Sequence, residues 1–326
     1  MDRLVYAKES GGLVLPEGRI ALFGALIEEG LGGLDSSQVE VIQGFRPEFD
    51  AWTKRGVVTR ESAQGPYDVA IVTLPRARDL AEHRIAQAVQ AAPEGFIIVI
   101  GAKTDGVDSI HKALKKRVAL EGQVPKAHGR CIWFNSDSAL IDWLRPDMSE
   151  NPEGDFTAPG VFSADKADPG SKLLAEALPK LKGRVADLGA GWGWLSREVL
   201  KNEAVKSVHL VEADLSALTC ARKNVTDDRA EFHWADATTW LSPALMDVVV
   251  MNPPFHTGRK GDPKLGQAFI AAAARSLNPS GQLFLVANRH LPYETILGEL
   301  FRDVKEIGGT GAFKLLHATR PTRTKR

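Results

Sequence analysis

Cysteine is nearly absent. Cys131 and Cys220 are the only two in 326 residues, so the chain is not a disulfide scaffold. No run of about 18 uncharged apolar residues occurs, which excludes an ordinary membrane-spanning helix. Neither sign of charge is in excess, with 41 basic and 41 acidic residues. The chain also lacks the apolar poverty of a disordered protein, being 44% hydrophobic and 25% charged. The opening MDRLVYAKES carries Asp2, Arg3, Lys8 and Glu9 and no apolar stretch, which predicts no secretory signal and a cytoplasmic location. The length suggests two domains of ordinary size.

The charge balance is an average. Residues 1–160 hold 18 basic and 23 acidic residues, a net of −5. Residues 161–326 hold 41 − 18 = 23 basic and 41 − 23 = 18 acidic, a net of +5. Basic clusters stand at Lys112, Lys115, Lys116 and Arg117, and in the tail at Arg320, Arg323, Lys325 and Arg326. Each cluster reads as a solvated surface or as a phosphate contact.

Residues 147–169 are rich in proline, glycine, serine and acids and have no long apolar period. The expected division is a first domain at 1–150, a linker and lead-in segment at 151–169, and a second domain at 170–326. Strand-like and helix-like segments alternate on both sides, which predicts an α/β fold with two tandem Rossmann-like domains. In the second half, strands are expected at 184–188, 207–212, 230–234, 247–251 and 282–287, with a closing pair at 304–307 and 313–318. Helices are expected at 170–181, 195–201, 215–224, 264–277 and 293–301. The first half repeats this order weakly. Asp68 corresponds to Asp247 and Gly95 to Gly281, and residues 129–134 are matched to residues 311–316. The chain therefore reads as an internal duplication.

The strand ending in Asp187 and Leu188 runs into Gly189, Gly191 and Gly193 and then a helix. Such glycines turn the chain sharply and let a ligand approach the peptide groups. The spacing is not the G-x-G-x-x-G of a dinucleotide fold. Glu212 closes the next strand 25 residues after Asp187, and Asp236 follows the third strand 24 residues later. A carboxylate at Glu212 suits the hydroxyls of a ribose, and Asp236 with the neighbouring backbone at Ala237 suits an adenine amino edge.

After the apolar strand 247–251 comes Asn252-Pro253-Pro254-Phe255. The prolines hold the loop rigid and donate no N–H. The Asn252 carbonyl and the Pro253 carbonyl can grip the two hydrogens of a planar amino group. Phe255 offers a face on which a base or amide can stack. His256 is adjacent, and a structural or substrate-edge role fits it better than base catalysis.

These motifs resemble those of class I S-adenosylmethionine-dependent N-methyltransferases. They are most similar to the family of ribosomal RNA small subunit methyltransferase C, guanine-N2 methyltransferases with two methyltransferase-like domains. The likeness extends through residues 159–163, Asp168 to Leu174, Phe255 to Gly258, residues 286–293, and Phe313 with Lys314. In the first half it is to the family's organisation, a degenerate copy of the catalytic domain.

The resemblance implies that the glycine turn at Gly189, Gly191 and Gly193, after Asp187, carries the methionine part of S-adenosylmethionine. Glu212 would take the ribose and Asp236 and Ala237 the adenine. Asn252 and Pro253 would hold the guanine amino group, with Phe255 stacking. It further implies 16S rRNA of the small ribosomal subunit as partner, at helix 34. No metal is expected, and a monomeric chain is expected because a duplicated chain can take the place of a homodimer. In the first half Gly24 stands alone after its strand, and Thr73-Leu74-Pro75 replaces the Asn-Pro-Pro, so no cofactor is expected there. Protein glutamine-N5 methylation, adenine-N6 methylation of nucleic acid, and a non-catalytic ribosome-assembly binder remain as alternatives.

Overall fold

A computed structural model describes residues 2–254 and 263–322. The chain divides into two compact units, Met1–Asp147 and Met148–Arg326. The first contains α1 (Asp2–Ser10), β1 (Ile20–Phe23), β2 (Val39–Ile42), α2 (Arg46–Lys54), β3 (Val58–Arg60), β4 (Val69–Thr73), α3 (Arg78–Ala91), β5 (Phe96–Ala102), α4 (Val107–Leu114), β6 (Gly122–Lys126) and β7 (Gly129–Asn135). The second opens with a short pair, β8 (Ser149–Glu150) and β9 (Phe156–Thr157). It continues through α5 (Pro169–Ala177), β10 (Gly183–Leu188), α6 (Trp194–Leu200), β11 (Val205–Glu212), α7 (Leu215–Asn224), β12 (Ala230–Trp234), β13 (Met246–Met251), α8 (Pro263–Ser276), β14 (Leu277–Asn288), α9 (Glu294–Leu300), β15 (Phe301–Gly309) and β16 (Phe313–Pro321).

The two large sheets have the same topology. One runs β3-β2-β1-β4-β5-β7-β6 and the other β12-β11-β10-β13-β14-β16-β15. In each the first five strands are parallel, and β7 or β16 enters antiparallel to both neighbours. Parallel sheets are buried on both faces, which explains the near-continuous apolar runs of β4, β5 and β13. These are two tandem Rossmann-like domains, as the alternation of segments predicts.

Strand register fixes the internal equivalences residue by residue. Ile20 pairs with Val69 as Val185 pairs with Val248, so Gly24 stands where Gly189 does. Ile20 pairs with Val39 as Val185 pairs with Val208, so Gln43 stands where Glu212 does. The Arg19 N–H donates to Asp68 at 2.7 Å, and the Arg184 N–H donates to Asp247 at 2.7 Å. In both units a Cβ on the preceding residue, Gly18 or Gly183, would fall 2.1 Å from that carboxylate. One expected match shifts. Phe96 pairs with Asn135 and Gln282 with Thr319, so Gly129 corresponds to Phe313 and not to Gly311. The loops before these strands differ in length, and loop residues mislead an alignment that lacks register.

The first unit's loop after β1 is filled. Trp52 of α2, fully buried, donates its indole N–H to the Ala25 carbonyl at 3.0 Å. The buried Gln43 side chain donates to the same carbonyl at 3.2 Å and accepts from the Phe45 N–H. The residue at the Trp52 position in the second unit is the small Ala221. A Cβ on Gly24 would fall 2.1 Å from the Arg84 guanidinium. Side chains therefore occupy the space that the second unit's glycine turn leaves open.

Residues 151–169, expected as a linker, fold onto the second unit. Asp155 pairs with Arg197, and Asn224 bridges the backbone of Phe156, accepting its N–H and donating to its carbonyl, each at 2.8 Å. Glu153 accepts from Lys172 and from the Ala167 N–H.

Because Trp52 fills the first unit's loop, Trp52→Ala is expected to cost about 3–5 kcal/mol of stability. Urea denaturation of the full chain checks this. A loss under about 1 kcal/mol would mean that the loop collapses without the indole.

Candidate active site

The three glycines after β10 do different work. All have positive φ: +78° at Gly189, +56° at Gly191 and +90° at Gly193. A Cβ on Gly193 would fall 2.8 Å from Val225 and 3.2 Å from Ala221, so the turn can press against α7 only without one. A Cβ on Gly189 would meet the Phe269 ring at 3.2 Å. At Gly191 a Cβ would meet nothing within 4 Å. Gly189 and Gly193 thus serve packing, and Gly191 borders the open concavity. That pocket is lined by the glycine loop, Asp187, Asp168, Ser171 and Asn252, with Phe162, Trp192 and Trp194 along one side.

Asp187 is 1% exposed and accepts from the Ser196 hydroxyl at 2.7 Å. Burial pushes its carboxyl up to about 7, against the opposing Ser196 hydrogen bond, and the nearby Glu212 adds to the rise. Glu212 ends β11 half-buried. One of its oxygens accepts the Gly191 N–H at 2.8 Å and the other the Asp214 N–H at 2.8 Å. Burial raises its carboxyl too, and these two backbone N–H bonds oppose the rise. Each carboxylate oxygen keeps a lone pair for a further donor. Asp236 stands beyond the end of β12. One of its oxygens accepts both the Thr238 N–H at 2.8 Å and the Thr238 hydroxyl at 2.7 Å. Ala237 is buried and packs with the α8 side of the core. Asp236 and Ala237 lie on the same carboxyl edge of the sheet but do not line the pocket that holds Asp187, Gly189, Gly191 and Asn252.

Asn252 follows β13, whose pairing with β10 and β14 brings it beside the glycine loop. Its amide nitrogen donates to Asp168 Oδ2 at 2.8 Å and to Ser171 Oγ at 3.0 Å. Pro253 is buried, and Pro254 is exposed with its ring 3.9 Å from the Cβ position of Gly189. Phe255 and His256 lie outside the described residues.

The sequence reading gave Asp168 and Ser171 no role of their own. Asp168 is the N-cap of α5, accepting the Ser171 N–H at 2.9 Å, with Pro169 in the first turn. Asp-Pro-Gly-Ser before an apolar period is a helix-start signal, and a cap is the only role that the sequence pattern by itself assigns to such residues. Ser196, under Asp187, belongs to no motif of the sequence and enters the site only through its hydrogen bond to that carboxylate. Trp192 is buried and donates its indole N–H to the Phe162 carbonyl at 3.1 Å, fastening residues 158–167 beside the pocket.

Among the described residues, His209, Glu231 and His233 place their ligand atoms within 4.8 Å of one another. His209 Nδ1 and His233 Nε2 are 3.0 Å apart, the separation of an imidazole–imidazole hydrogen bond. Burial holds both imidazoles below the ordinary histidine value. By register the same places in the first unit hold Glu40 and Arg60, which form an ion pair at 2.8 Å. Both pairs act as polar bridges between neighbouring strands.

With this geometry in place, comparison with known proteins gives concordant matches. Residues 156–317 match the model of the Methyltransferase small domain, and residues 36–134 match that of the Methyltransferase small domain N-terminal. The chain is 32% identical over 268 residues to Ribosomal RNA small subunit methyltransferase C of Shewanella sp. (strain MR-4), covering 77% of each chain. It is 31% identical over 274 residues to the protein of the same name from Hahella chejuensis (strain KCTC 2396), covering 79% of each. The chain belongs to the ribosomal RNA small subunit methyltransferase C family. One solved structure, the T. thermophilus 16S rRNA N2 methyltransferase (RsmC) in complex with AdoMet and guanosine, superposes with a TM-score of 0.81 at 27% identity. That match covers 98% of this chain and 91% of the other, so the family likeness spans both units. In this family member, Asp187 and Glu212 are two acids brought together under one loop.

The raised Asp187 carboxyl has a consequence for stability. It contributes most when protonated, and that contribution is lost as pH rises from about 4 through about 7. Without added ligand, the wild-type melting temperature is expected to fall relative to that of Asp187→Asn across this window. Parallel pH profiles of the two proteins would show that the carboxyl is not perturbed.

Proposed function

We propose that the chain transfers the methyl group of S-adenosylmethionine to the exocyclic N2 amino group of a guanosine in 16S ribosomal RNA. The observation that carries this reading is the orientation of Asn252. Its nitrogen is committed to Asp168 and Ser171, so its carbonyl oxygen is the atom left for an amino donor beside the glycine loop. Membership in the family supports the same chemistry.

The second unit fits S-adenosylmethionine. The open side of Gly191 leaves room against the backbone for the methionine part. The remaining lone pairs of Glu212 suit the ribose hydroxyls. Asp236, with its second oxygen, is assigned to the adenine edge. A cationic sulfonium and ammonium favour the ionised form of Asp187, which burial alone disfavours. When bound, the cofactor supplies an electrophilic methyl carbon. The first unit does not fit: Trp52 fills its loop, and the neutral Gln43 takes the place of the ribose acid.

The protein's part is alignment. Asn252 Oδ1 and the Pro253 carbonyl accept the two amino hydrogens of guanine and draw the nitrogen lone pair out of conjugation. This aims the lone pair at the methyl carbon, and fixed geometry supplies much of the rate. S-adenosylmethionine held there would give up its methyl carbon to this nitrogen and leave as a thioether, the C–S electrons staying on sulfur. The nitrogen then loses a proton to water. A paired guanine cannot reach these acceptors, so the base is presented unpaired or flipped, with Phe255 assigned to stack on it.

Helix 34 as the target, the small ribosomal subunit or its precursor as the presented form, a cytoplasmic location and a monomeric chain are parts of the same proposal. In this reading the first unit supports the catalytic one and contacts RNA. Its exposed Lys112, Lys115 and Lys116 support that role.

Labelled S-adenosylmethionine, offered with 30S subunits, naked 16S rRNA or a release factor, tests the reading. Label is expected in N2-methylguanosine after nucleoside digestion. Label in glutamine or adenine, or none with tight RNA binding retained, overturns it. Asn252→Ala should lower kcat by at least ~10³-fold with the dissociation constant for S-adenosylmethionine within about twofold of wild type. Undiminished turnover would refute the grip.

A further inference from the structure

We propose that Asp168 and Ser171 are positioning residues that lock the amide of Asn252 in one flip, so that only its carbonyl oxygen faces the methyl acceptor. This rests on the reading of Asn252 as the amino-group grip.

An asparagine side chain is a donor at one end and an acceptor at the other, and a half-turn exchanges them. A free Asn252 would present either end. Here its nitrogen sits 2.8 Å from Asp168 Oδ2 and 3.0 Å from Ser171 Oγ. An ionised carboxylate only accepts, so the flipped amide would set oxygen against oxygen there. Both hydrogens of the amide are spent on the protein, and the site can receive a donor but not a second acceptor. A guanine amino group satisfies it, whereas a carbonyl or a bare ring nitrogen does not. The negative charge behind the amide also polarises it toward the carbonyl oxygen, strengthening the acceptor that faces the substrate.

Asp168 is itself held firmly. It caps α5, with the Ser171 N–H on the same oxygen at 2.9 Å and the Lys172 N–H on its backbone carbonyl at 2.9 Å. A Cβ on Gly170 would fall 2.9 Å from that same Oδ2, so the residue beside the carboxylate has to be glycine or displace it. The helix N-terminus favours a negative charge at this point. The lock therefore joins the start of α5 to the end of β13, more than 80 residues apart in the chain.

The test compares full-length variants. Asp168→Ser keeps a capping hydroxyl but is too short to reach Asn252. It is expected to lower kcat by ~30-fold or more, while the dissociation constant for S-adenosylmethionine, measured by calorimetry, stays within about twofold. Asp168→Asn can cap the helix and accept from Asn252 through its carbonyl, and should restore kcat to within several-fold of wild type. Wild-type kcat in Asp168→Ser overturns the proposal. So does cofactor affinity falling in step with kcat, which would make Asp168 a cofactor ligand. Should Asp168→Ser fail to fold, Ser171→Ala decides. It keeps the cap and should lose about threefold or more in kcat, and a wild-type value overturns the lock. Asn252→Ala serves as the reference. If it turns over normally, the grip itself is wrong; if it is dead while Asp168→Ser is fully active, only the lock is wrong.

Discussion

The bond from the Gly191 N–H to the Glu212 carboxylate ties the end of β10 to the end of β11, and the rest of the site is arranged around it. The glycine turn has left-handed backbone at three alternate positions, and such a turn needs an anchor to hold one shape. Glu212 supplies the anchor, and its other oxygen fixes the start of α7 through Asp214. Both oxygens keep a lone pair beyond these bonds. The neutral counterpart in the first unit holds its loop differently. Gln43 still accepts the N–H two residues on, but its amide turns inward to the Ala25 carbonyl.

The two units therefore share a scaffold and differ at one edge. Both retain the glycine before the first strand and the aspartate that accepts the next N–H. These contacts lie at the amino end of the strands, the end away from the glycine turn. In the loop after β1 the first unit has packing where the second has an opening, with Trp52 where the second has Ala221 and Arg84 over Gly24. A filled loop keeps the contacts that an empty one forfeits.

The fold was largely legible because parallel strands are apolar on both faces and their helices have clear caps. Helix α7 and strand β12 fall at the very residues expected, 215–224 and 230–234. The duplication was legible in Asp68 and Asp247, which perform the same bond in each copy. The offset at Gly129 was not, since pairing register is a property of two strands and cannot be read from one. The glycine turn and the acids after each strand were legible as a series along one sheet edge. Asp168 was hidden for a different reason. A residue that caps a helix and also orients a distant side chain carries only the cap's signature in sequence. The partner it orients is revealed when the chain brings α5 to the end of β13.

The net charge of zero hides where the positive charge is placed. Within the second unit many cations are already committed: Arg197 to Asp155, Arg229 to Asp227, Arg289 to Glu306, Lys314 to Glu294 and Arg320 to Asp303. Of the +5 surplus over residues 161–326, the stretches 255–262 and 323–326 contribute Arg259, Lys260, Arg323, Lys325 and Arg326 against Asp262, a net of 5 − 1 = +4. Of that +4, the stretch 255–262 contributes 2 − 1 = +1 and the stretch 323–326 contributes +3. The rest of residues 161–326 carries +5 − 4 = +1. A net charge taken over a whole chain says little about where an anion is attracted, because attraction follows the local distribution. Overall neutrality is therefore no argument against a nucleic-acid partner.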